Sequence, residues 1–104
     1  MRAGELDRKI TVERAMAVTS GTGEVTHTWA TFATVWARRV PIKADEYFTA
    51  QQVNAPVDAR FQIRRLDGID SAMRLVYDGK TYDILSIQEI GRREGYDILA
   101  RVHR

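Results

Sequence analysis

The chain has 104 residues, enough for one domain with a modest core, and its 44% hydrophobic and 29% charged residues are those of an ordinary globular protein. No apolar run approaches the ~18 residues that a membrane-spanning helix needs, and the absence of cysteine excludes disulfides and thiolate chemistry and is compatible with a reducing compartment. Sixteen basic residues, 13 of them arginine, stand against 14 acidic ones, mixed along the chain; this is too dilute for a dedicated DNA-binding domain and, arginine being suited to bidentate pairing, favours protein partners.

In chain order, Met1 to Asp7 holds no apolar stretch after Arg2, so a secretory signal is not expected. Lys9 to Arg14 alternates polar and apolar, which predicts a strand with Ile10 and Val12 on one face. Ser20-Gly21-Thr22-Gly23 reads as a turn. Val25 to Val40 is rich in Val, Thr, Trp and Phe, all strand formers, but is too long for one ordinary strand. A bend or bulge is expected between Ala30 and Ala33. Val25, His27 and Trp29 share a face, and Val35 and Ala37 lie opposite Trp36. Pro41 ends the run or confines it to an edge.

Ala44 to Asn54 differs from the rest. Asp45 suits a helix N-cap; Ala44, Tyr47, Phe48 and Gln51 fall on one helical face; and Pro56 disfavours helix at Ala55. One short helix is expected there. Ala59 to Leu66 returns to alternation, with Phe61 and Ile63 facing one way and Arg60, Gln62 and Arg64 the other. After the Asp67–Ser71 loop, Met73 to Tyr77 is a short strand. Asp78-Gly79 fits the positive φ of a type I′ hairpin turn into Thr81–Ile90. Gly91–Gly95 turns again, and Tyr96, Ile98, Ala100 and Val102 are in phase in the last strand.

The expected architecture is one domain over residues 1–104, mainly β: a small antiparallel barrel with one short inserted helix. Closure removes exposed strand edges. Ile10, Val12, Trp29, Val35, Phe61, Ile63, Met73, Leu75, Ile84, Ile87 and Ile98 are expected to supply much of the core.

Catalytic patterns do not emerge. His27 and His103 are far apart, each inside a predicted strand, with no metal-ligand spacing. Asp45 and Glu46 suit a helix N-terminus, Asp78 belongs to its turn, and neither Asp45/Glu46 nor Asp78/Asp83 has the surroundings of an acid–base pair. Gly21 and Gly23 lack the strand–turn–helix setting and third glycine of a dinucleotide site. No enzyme activity, metal or cofactor is expected. Arg60, Arg64, Arg65 and Arg74, with Phe61 and Tyr77 nearby, raise the alternative of a small barrel that binds nucleic acid or a peptide. Phe61, however, points away from Arg60 and Arg64, as a core residue would.

Four ordered pieces carry a resemblance: MRAGELDRKITVER, TWATFATVWARRVPI, EYFTAQQVNAPVDARFQIRR and MRLVYDGKTYDILSI. With these and their spacing, nearly the whole chain resembles the phage head–tail joining family, the small neck proteins also called head-closure or stopper proteins. The resemblance implies a small barrel with an inserted loop or helix and no catalysis. It implies a homo-oligomeric ring in the virion neck, assembled in the host cytoplasm between the portal–adaptor complex and the tail. DNA would be only the channel's contents, and no membrane would be involved. It also marks Tyr47, Phe48, Gln51 and Gln52 as protein-interface candidates, since an aromatic pair flanked by glutamines suits an interface anchor.

Overall fold

The computed structural model describes residues 3–42 and 57–103. A short 3-10 turn, Ala3–Glu5, leads into six strands: β1 (Arg8–Thr19), β2 (Val25–Val40), β3 (Ala59–Arg64), β4 (Arg74–Tyr77), β5 (Lys80–Ile90) and β6 (Gly95–Val102). Every pairing is antiparallel, and the order β1-β2-β3-β6-β5-β4 closes on itself as a barrel. The helix expected within Ala44–Asn54 lies outside the described residues, and Tyr47, Phe48, Gln51 and Gln52 lie there with it.

A six-stranded barrel is narrow, so its interior is filled by side chains. Phe61 sits in the middle with no exposed surface, edge-on to Tyr77 and Tyr82 with ring centroids 5.6 Å away in each case. Ile10, Val12, Ile63, Leu75 and Ile98 are likewise fully buried, and Ala37, Ala59 and Ala100 take the tighter places. Met73, Tyr82 and Ile84 complete the cluster, and Val35 and Ile87 pack against it half-buried. On the outer wall, Arg60 grips Asp97 through a two-point guanidinium–carboxylate contact, Nε to Oδ1 at 2.7 Å, with only 16% and 15% of the two side chains exposed.

Two bulges explain where strict alternation fails. On β5, Ile84 faces Ala100 and Ser86 faces Leu99, so Leu85 is the extra residue. This lets Ile84 and Ile87, three apart, both turn inward. On β2, Val12 pairs with Ala33 and Glu13 with Thr31, so Phe32 is the extra residue, within the stretch where a bulge was expected. An added residue moves every later side chain to the other face. Ala33, Val35 and Ala37 are opposite the inward side of β1, but Trp29 pairs with Ala15 on the outer side. Trp29, expected in the core, is therefore a surface residue, 40% exposed.

The β4–β5 connection is the expected tight hairpin. Tyr77 pairs with Lys80, and Asp78 and Gly79 have φ of 52° and 74°. A Cβ added at Gly79 would meet nothing within 4 Å, so any penalty there is purely one of backbone conformation. Gly79→Val is expected to cost roughly 1–2 kcal/mol, and Lys80→Ala at most about 0.5 kcal/mol. Denaturant titration reads the difference as a clearly lower midpoint for Gly79→Val. Equal midpoints would mean that the turn does not need its positive φ.

Candidate assembly interface

The barrel uses only part of its two longest strands. β4 pairs with β1 at Thr11–Glu13, and β3 pairs with β2 at Ala37–Val40. Beyond Glu13, β1 pairs with β2 alone, from Arg14↔Ala30 to Thr19↔Val25. These residues form a two-stranded arm of ~20 Å, at about 3.3 Å per residue, that leaves the barrel. Ser20–Glu24 closes its tip: the Ser20 N–H donates to the Glu24 carbonyl (2.8 Å) and the Gly23 N–H to the Ser20 carbonyl (3.0 Å), with Gly23 at φ 83°.

The arm is rooted by charge and an aromatic face. The Arg74 Nε donates to Glu13 Oε1 at 2.7 Å across the β1–β4 pairing, and the same guanidinium lies 4.2 Å from the Trp29 ring centroid. Glu13 thus orients the cation that stacks on Trp29, a contact worth about 1 kcal/mol at a half-exposed site. At the bulge, the Phe32 ring lies over Gly68, with its Cζ 3.1 Å from where a Cβ would sit.

Beyond this root the arm carries apolar residues on both faces. Met16 and Val18 lie on one face at 43% and 45% exposure; Val25 and Trp29 lie on the other at 55% and 40%. The outer backbone edges of Arg14–Thr19 and Val25–Trp29 have no strand partner among the described residues. Apolar side chains beside open edges are the features that proteins bury against partners and otherwise avoid. The available signal was the run of Met, Val and Trp at Met16, Val18, Val25 and Trp29. It was hard to use because Ala15 to Thr19 buries neither face and so shows no period.

The other sites weighed from the sequence stay dispersed. His27 is exposed on the arm, whereas His103 follows β6 with its Nδ1 3.0 Å from Asp83 Oδ2. No group of three or more His, Asp or Glu is assembled among the described residues. Of the four arginines of the basic patch, Arg60 holds Asp97, Arg65 approaches Asp67 (2.9 Å) and Glu89 (3.8 Å), and Arg74 holds Glu13. Arg64, at the end of β3, makes no ion pair with a described residue. Carboxylates thus neutralise most of the face that a nucleic-acid strand would need.

A family model described as phage head completion protein matches residues 1–103. The head completion protein gp16 of Bacillus phage SPP1 is 32% identical over 93 residues, covering 83% of this chain and 85% of that protein. Among solved structures, that of protein SF1141 from Shigella flexneri 2a superposes with a TM-score of 0.81 at 24% identity, covering 98% of this chain and 96% of the other. A chain from the virion of a native gene transfer agent particle superposes with a TM-score of 0.59 at 20% identity, covering 91% and 92%. At these identities the two structures speak for the shared fold.

Proposed function

This chain belongs to the phage head completion protein family, and from that premise we propose that it is a structural protein of the neck, joining the DNA-filled head to the tail and closing the DNA channel after packaging. The observation that carries the reading is the pairing of this family with a closed barrel that projects an apolar two-stranded arm. A barrel whose core is complete has no folding reason to extend such an arm, but a protein held between two larger assemblies does.

In this reading the copies form a ring on the portal–adaptor complex and present a surface to the tail. The arm supplies one set of contacts. The Ala44–Asn54 segment supplies another, with Tyr47, Phe48, Gln51 and Gln52 as its anchors. The test is deletion of the gene in the phage or prophage that carries it, read by electron microscopy and by nuclease treatment of the lysate. Separate heads and tails, with the heads losing DNA, are the expected result. Normal tailed particles would refute the reading.

Assembly is expected to be ordered. A barrel of this size uses much of its apolar surface on its own core, and exposed ion pairs between neighbours are worth about 0–1 kcal/mol each. Lateral contacts become sufficient when a preformed ring beneath raises the local concentration. Light scattering of the purified chain at micromolar concentration should therefore report a monomer or a weak oligomer. A stable ring in solution would contradict ordered assembly.

A further inference from the structure

A cavity of about 500 Å³ opens between the N-terminal segment, β2 and the end of β3. Among the described residues it is lined by Leu6, Val35, Trp36, Arg64 and Arg65. Its position follows from the pairing. Ala37↔Ile63 is the last pair joining β2 to β3, and past it the two strands part with Trp36 and Arg64 at the point of separation. Leu6 is buried and Val35 half-buried, whereas Trp36 is 55% exposed, the largest apolar side chain the barrel leaves in solvent at that level.

We propose that this notch is a docking site for an acidic–apolar peptide segment of an adjoining protein, one that sets an apolar side chain against Leu6, Val35 and Trp36 and a neighbouring carboxylate against Arg64. The occupant's charge follows from the rim. Both charged groups are guanidiniums, and while Arg65 already has Asp67 and Glu89 beside it, Arg64 has no carboxylate among the described residues. A guanidinium takes a carboxylate in a planar two-point contact, as Arg60 and Asp97 do on the same wall. The occupant's apolar part follows from Trp36. Tryptophan and arginine are both enriched among interface hot-spot residues, and a part-walled notch gives Trp36 a place to exclude water. The neck reading says only where such a partner comes from.

The experiment is a titration of the isotopically labelled chain, followed by NMR, with acetyl-Glu-Leu-Glu-Phe-amide, acetyl-Lys-Leu-Lys-Phe-amide and acetyl-Glu-Ser-Glu-Ser-amide, each to millimolar concentration. The first peptide should shift the Trp36 indole and Arg64 Nε signals and the backbone of Leu6 and Val35. The other two should shift them weakly. Arg64→Glu should weaken the first peptide's binding about tenfold or more, and Trp36→Ala should do likewise, with the remaining resonances unchanged. An equal response to the lysine peptide, shifts that map to the arm instead, or no response to the first peptide would each overturn the proposal. So would the same shifts on raising the concentration of the chain alone, which would make the occupant a second copy. None of these outcomes depends on whether deleting the gene separates heads from tails, so either idea can fail without the other.

Discussion

Phe61→Ala is expected to cost about 3–5 kcal/mol, the largest effect of any single truncation among the described residues. The side chain has no exposed surface and touches the rings of Tyr77 and Tyr82 edge-on, so truncation removes two aromatic contacts and leaves a hole that six hydrogen-bonded strands cannot close. A domain of this length has a total stability of roughly 5–15 kcal/mol, so about a fifth or more of it would be lost. In urea the midpoint should fall by roughly 2 M, taking a slope of ~1–3 kcal/mol per molar. Phe61→Leu, which keeps most of the volume, should fall by clearly less. A Phe61→Ala midpoint no lower than that of an exposed substitution such as Val25→Thr would show that the barrel's centre lies elsewhere.

The second large effect should appear only on assembly. The triple variant Met16→Thr, Val18→Thr and Val25→Thr keeps strand-forming residues on the arm and leaves Trp29 under Arg74. Its urea midpoint should fall by less than about 1 M, far less than that of Phe61→Ala, because surface substitutions shift stability by at most about 0.5 kcal/mol each. If each side chain contributes ~1 kcal/mol at an interface, assembly should weaken by a hundredfold or more. Supplied from a plasmid to a deletion strain, the variant should restore far fewer infectious particles than the wild-type gene restores. Full complementation by the folded variant would remove the arm from the assembly surface.

How far the sequence could be read depended on whether a feature has its partner within the chain. Ile10/Val12, Phe61/Ile63 and Ile98/Ala100 alternate because each strand has one face in the barrel, so the core was largely legible. Asp78-Gly79 was legible because few residue pairs accept two successive positive φ values. Strand length alone places the bulge near Phe32, but the added residue inverts side-chain parity on β2, and so Trp29, which alternation assigns to the core, lies on the outer face. The arm was not legible because Ala15–Thr19 meets no second layer, and without burial there is no period to read. The same holds for the notch at Trp36 and Arg64, whose residues come together only where β2 and β3 part. The Tyr47–Gln52 candidates rest on residue type and on the family resemblance.

The proposed role can be tested with purified parts. Heads from a lysate lacking this chain, taken directly after packaging and before their DNA escapes, are mixed with purified chain and then with purified tails, and the DNA that survives nuclease is measured together with the number of tailed particles. Heads that retain their DNA once the chain is added, and acquire tails only then, are the expected result. Heads that keep DNA and take tails equally well without the chain would contradict a role in closing and joining the neck.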